Sequence, residues 1–163
     1  MNNITINSNS NDIKEMEKLF PRAPLKIIAM EGCKELGQKV NDYIVNFRQS
    51  SYREELKSPM YATYLQDNYL VDAHCPRFGS GEAKGVLNES VRGKDLFIMT
   101  DVCNYSLTYS VNGYVNHMSP DDHYQDLKRL ISAANGKEHR LNIIMPFLYE
   151  GRQHKRTKRE SLD

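Results

Sequence analysis

The chain has 163 residues, which one domain can fill, and its 39% hydrophobic and 26% charged residues suit a soluble globular protein. No stretch nears the ~18 uninterrupted apolar residues of a membrane span, and the opening MNNITINSNSN lacks a basic, apolar and small-residue succession. A membrane protein and a secretory leader are therefore disfavoured, and the expectation is a cytoplasmic protein. The net charge of +1 hides an asymmetry, because residues 150–163 carry five Lys/Arg against three acids. Positive charge gathered at one end favours a small anionic ligand there over nucleic acid, which is usually met by a whole basic face.

Residues 1–24 read as a polar N-terminal extension. Its Asn/Ser-rich start offers little apolar surface, and a short helix over 12–20 is predicted from the capping-box spacing of Asp12 and Glu15 and from Pro21 as its stop. PLKIIAM then predicts a strand. After Gly32, Leu36, Val40, Tyr43, Ile44 and Phe47 recur at helical spacing and predict a helix. Residues 48–60 are polar and contain a proline, and YATYLQDNYLVDAHC follows as a poorly bounded strand; an insertion at about 48–71 is the expectation.

In RFGSGEAKGVLNESVRGKDLFIMTDV, a glycine-rich turn and a moderately apolar strand lead to a second turn and then to DLFIMTDV. That last run has no alternation, as in a central strand covered on both faces. Residues 103–118 show no period and read as an irregular excursion. Ser119-Pro120-Asp121-Asp122 starts a helix, Tyr124, Leu127, Ile131 and Ala134 share its face, and Asn135-Gly136 ends it. RLNIIMPF reads as a buried strand, and the cluster from Arg152 to Arg159 lies just beyond it. Strands alternating with helices predict an α/β fold, a mainly parallel sheet flanked by helices, with its ligands at the carboxyl ends of the strands.

Cys33, Cys75 and Cys103 are far apart and unpaired in pattern, which supports neither a disulfide framework nor a zinc site. The five histidines, His74, His117, His123, His139 and His154, are not spaced as a helical metal pair, so no metal site is expected within the chain. The charged tail taken alone suits a solvated end, RFGSGE a plain turn, and the many tyrosines half-buried strand positions.

The ordered set LKIIAMEGCKELGQKV, RFGSGEAKGVLNESVRGKDLFIMTD and IIMPFLYEGRQHKR resembles the N-terminal domain of ribose-phosphate pyrophosphokinase, also called phosphoribosyl pyrophosphate synthetase. The resemblance implies a phosphoribosyltransferase-like half-domain over 25–163 that stops before a C-terminal domain. It implies transfer of the ATP diphosphoryl group to ribose 5-phosphate, with Mg2+ arriving with ATP and held mainly by residues outside this chain. Carried across, Arg152 and Gln153 contact ATP. Phe78, Ser80 and Glu82 lie in a turn reaching the adenine held by a neighbouring subunit of a homo-oligomer. Ser80 replaces the family's usual Asn or Asp, and His154 replaces an Asp. No catalytic residue is assigned, and the fragment alone is expected to be inactive. The departures keep open a non-catalytic regulatory homologue, and the basic tail keeps open a nucleic-acid-binding module.

Overall fold

A computed structural model describes residues 22–50, 63–153 and 155–159. The helix read at 12–20, residues 51–62 and His154 lie outside the described residues. The core is a three-stranded parallel sheet of β1 (Leu25–Ala29), β4 (Asp95–Met99) and β7 (Arg140–Ile144), in the order β1-β4-β7. The register aligns Leu25 with Asp95 and Asp95 with Arg140. Leu70 adds a parallel bridge to Ile27 on the outer side of β1, so chain at the end of the stretch read as an insertion serves the sheet. The other elements are α1 (Lys34–Ser50), entered through a 3-10 turn at Glu31–Cys33, the short antiparallel pair β2 (Ala73–His74) and β3 (Val86–Leu87), and α2 (Pro120–Ala134).

The sheet is covered on both faces, and side chains alternate between them. Ile28, Leu96 and Ile98 pack with Leu127, Leu130 and Ala134 of α2, whereas Ile27 and Met99 pack with Val40, Ile44 and Val45 of α1. That two-sided burial is why DLFIMTDV reads as continuously apolar. Leu96, Ile98 and Leu130 are fully buried, and each such side chain contributes about 1.5–3 kcal/mol of transfer free energy.

Three sequence expectations need correction. The inward face of α1 is Gly37, Val40, Asn41, Ile44 and Val45, while Leu36, Tyr43 and Phe47 are exposed. The helix lies so close to β1 that a Cβ on Gly37 would come 2.3 Å from that of Ala29, and the buried Asn41 accepts a hydrogen bond from the Tyr69 N–H at 2.8 Å. A hydrophobicity count overlooks both residues.

Residues 103–118 are not irregular throughout. β5 (Thr108–Val111) and β6 (Tyr114–His117) form an antiparallel hairpin through Asn112 and Gly113, whose φ angles are 51° and 83°. Two positive φ values in succession are what a two-residue hairpin turn requires, and Asn-Gly supplies them cheaply. β6 is exposed on both faces, so it left no alternating pattern to read.

β7 is not a buried strand but an edge strand among the described residues, with Ile143 and Ile144 partly open to solvent. The reading of α2 stands: Ser119 caps it in a reciprocal box with Asp122, Pro120 opens it, and Asn135 closes it at φ 59°.

Candidate functional site

The carboxyl ends of β1, β4 and β7 open toward the first turns of α2, and three features gather there. The first is the stretch after β7. Tyr149 stacks on Tyr124 with ring centroids 4.1 Å apart, and its hydroxyl donates to Asp121 Oδ1 at 2.5 Å, which ties this stretch to the start of α2. The backbone then turns tightly. The Gly151 N–H donates to Leu148 O at 3.2 Å and the Gln153 N–H to Glu150 O at 2.9 Å, with Glu150 held at a positive φ of 55°. Arg152 is thus presented on a structured turn, exposed, with Gln153 half-buried beside it. Gln153 lines a groove of about 910 Å3 shared with Tyr124, Leu127, Ile131 and Met145.

The second feature is the turn 77–83. Arg77 and Ala83 form an antiparallel bridge, the Phe78 N–H donates to Glu82 O at 2.7 Å, and Gly81 takes φ 92°. Ser80 Oγ donates to Glu82 Oε2 at 3.0 Å, so these two side chains engage each other. Phe78 is 51% exposed, which excludes the core position that its residue type also suits. Arg77 holds the turn from below. Its guanidinium donates to Gly81 O at 3.3 Å and to Asp126 Oδ2 at 2.9 Å, and lies 4.6 Å from the Tyr109 ring centroid. An open cleft of about 440 Å3 borders Ser80, Glu82, Gln125, Arg129 and Asn116.

Electrostatics around this turn are set by burial. Asp126 accepts from both Arg77 and Arg129, the latter at 2.6 Å, yet burial outweighs the two guanidiniums and pushes its carboxyl above the usual carboxylate range. Asp122 goes the other way. Burial pushes it up, but the Ser119 N–H and hydroxyl, with the charge of Arg77, bring it below that range. Burial, helped by Asp126, lifts the Cys75 thiol to about 12, so it stays protonated and is a poor nucleophile.

The third feature is a cavity of about 240 Å3 between the ends of β1 and β4, the start of β5 and the inner face of α2. Sequence reasoning missed it, along with Thr100, His123 and the Tyr109 ring on Arg77. Asp126 and Arg129 stand three apart on a helix and could have been found as an ion pair; nothing in the sequence marks Thr100.

The five expected site residues therefore fall into two groups. Gln153, next to Arg152, lines the groove along Tyr124, Leu127 and Ile131 of α2, whereas Ser80 and Glu82, in the turn that carries Phe78, line the separate cleft beside Gln125 and Arg129. Among the described residues no three or more His, Cys, Asp or Glu gather as a group that could hold a metal ion. No helix among them is long and apolar enough to cross a membrane.

The family described as the N-terminal domain of ribose phosphate pyrophosphokinase matches residues 25–163, from the first residue of β1 through Arg152 and Gln153. A curated relative, ribose-phosphate pyrophosphokinase B of Dictyostelium discoideum, is 32% identical over 82 residues, which cover 50% of this chain and 21% of the relative. The matched stretch thus spans about a fifth of that relative's length. With a family match over most of its length and a parallel sheet between two helices, the chain belongs to the family of ribose phosphate pyrophosphokinase N-terminal domains.

Proposed function

We propose that the chain supplies the N-terminal half of a ribose-phosphate diphosphokinase, which moves the β,γ-diphosphoryl group of ATP to the 1-hydroxyl of ribose 5-phosphate. The observation that carries this reading is the family match running through Arg152 and Gln153 at the carboxyl end of β7. In this reading the Arg152 guanidinium chelates phosphate oxygens, a task its planar fork suits, and Gln153 orients the nucleoside. Phe78, Ser80 and Glu82 present an exposed aromatic face and a carboxylate to the adenine of a nucleotide held by a second subunit. The placement of their turn beside a cleft separate from the groove of Gln153 supports a contact made between subunits of a homo-oligomer. Magnesium, where it takes part, neutralises phosphate charge. This chain's residues then bind and orient, which is most of what phosphoryl transfer asks of a protein.

The test is formation of AMP and the diphosphorylated sugar from ATP, ribose 5-phosphate and magnesium by the full-length protein. Turnover supports the reading, and the isolated 163-residue chain is expected to show none. Absence of turnover in the full-length protein favours instead a regulatory homologue that keeps the fold, a reading motivated by His154 in place of the family's usual acid and by the extra chain at about 48–71 and 103–118.

A further inference from the structure

The cavity between β1, β4 and α2 has no part in the proposed phosphoryl chemistry, yet it is built as a binding site. It lies at the carboxyl ends of two neighbouring parallel strands, where open α/β sheets hold ligands. Met30, Leu107, Met118 and Leu130 give it apolar walls, and Thr100, Asp101 and His123 bring polar groups to it. Thr100 is 0% exposed. Its N–H is bonded to Ile144 O at 3.0 Å, but its hydroxyl has no hydrogen-bond partner. Burying a hydroxyl unpaired is unfavourable, and native proteins rarely leave one so unless something else completes it.

The lining also limits what can enter. Asp101 and Asp126 are carboxylates, and the one guanidinium, Arg77, is already engaged by Asp126 at 2.9 Å. A phosphate or carboxylate would therefore meet more negative than positive charge. His123 places one nitrogen, Nε2, 2.8 Å from Asn104 O; a carbonyl only accepts, so that nitrogen carries the proton. The Cys75 thiol, lifted to about 12, stays protonated and is a poor nucleophile. A volume of about 240 Å3 falls below the ~300–1,000 Å3 of sites for drug-sized ligands, which leaves fragment-sized molecules. Walls that are mainly apolar suit a flat heterocycle with a donor and acceptor edge better than a polyol, which needs partners all round.

We propose that this cavity binds a small uncharged heterocycle of nucleobase size, its polar edge on the Thr100 hydroxyl and its faces against Met30, Met118 and Leu130. The start of hairpin β5–β6, from Leu107 to Tyr109, walls one side.

The experiment is titration of the full chain with adenine and with uracil, followed through the methyl signals of Met30 and Met118. Inorganic phosphate and ribose 5-phosphate serve as anionic controls. A saturable shift in the millimolar range or tighter by at least one base, and none by the anions, is the expected result. Thr100→Val, which keeps shape and removes the hydroxyl, should weaken that binding about tenfold without lowering Tm. Absence of saturable binding by either base, equal binding of the anions, or a Thr100→Val variant that binds as tightly as the parent overturns the proposal. The titration of the unmodified chain stands even if that variant fails to fold. It needs no turnover, so its failure is separate from failure of the diphosphokinase reading.

Discussion

At the scale of single residues, the two ends of the basic tail should behave differently. Arg152 follows a hydrogen-bonded turn with a fixed backbone, whereas Lys158 is exposed further along. If Arg152 chelates phosphate, Arg152→Ala removes charge-assisted hydrogen bonds worth about 1.5–3 kcal/mol and lowers kcat/KM for ATP roughly ten- to hundredfold in the full-length enzyme. Lys158→Ala should cost no more than about 1 kcal/mol, the range of exposed ion pairs. Steady-state kinetics on both variants decide it, and equal losses would move the phosphate contact elsewhere. A second residue prediction concerns pH. The Arg140 guanidinium donates from Nε to Asp95 Oδ1 at 2.9 Å and from Nη2 to Oδ2 at 2.5 Å, and these bonds hold the Asp95 carboxyl below the usual carboxylate range. A carboxylate depressed in the folded state adds stability above its unfolded pKa of about 3.9 and loses it as pH falls through the folded value. Asp95→Asn should therefore flatten the acid limb of the Tm against pH curve below about pH 4 while lowering Tm at neutral pH. An unchanged acid limb would show that the pair is not coupled to folding.

At the scale of elements, α2 is fixed by close backbone approach as well as by its caps. A Cβ on Gly85 would lie 2.4 Å from the Arg129 carbonyl oxygen, while one on Gly79 would meet nothing within 4 Å. Gly85→Ala must therefore push the β2–β3 pair off α2, at a cost of about 1–3 kcal/mol. At about 2–4 °C of Tm per kcal/mol for a chain near this size, thermal unfolding should separate it clearly from Gly79→Ala, which should fall close to the parent. Matching Tm values would mean that the contact gives way freely. The same comparison of elements shows what was legible in the sequence. Ser119-Pro120-Asp121-Asp122 and Asn135-Gly136 marked both ends of α2, because caps are written in local side-chain chemistry. The apolar runs of β1 and β4 marked the covered sheet, and the resemblance of RFGSGE and GRQHKR to a known family marked the candidate site residues. What escaped depends on distant partners. Asn41 is buried because Tyr69 meets it, and Gly37 is inward because Ala29 lies against it. The Asn-Gly turn of the hairpin was visible as a pair, but β6, open to solvent on both faces, gave no period after it. The Thr100 cavity is assembled from six separate stretches of the chain and has no signature in any one of them.

At the scale of the whole molecule, the sheet is asymmetric. β1 has Leu70 beside it, whereas β7 forms an edge among the described residues and carries Ile143 and Ile144 toward solvent, with Phe147 and Leu148 exposed after it. An apolar edge strand is a template for unwanted pairing, and a charge placed on it blocks that pairing. Ile144→Lys should raise the temperature at which light scattering appears on heating while leaving the unfolding free energy within about 0.5 kcal/mol of the parent, the usual effect of a surface change. Scattering that begins at the parent's temperature would put the aggregating surface elsewhere. The strand order also governs how the molecule is assembled in time. Each strand of the sheet pairs with one distant in sequence, and the Asp95–Arg140 pair alone closes a separation of 45 residues. The hairpin β5–β6 and helix α2 need only near neighbours. Local pieces form in microseconds, while long-range parallel pairing must first meet the entropy of closing large loops. Refolding should therefore acquire α2 and the hairpin before β4 finds its two partners, and an intermediate caught in that interval would expose both apolar faces of β4 at once.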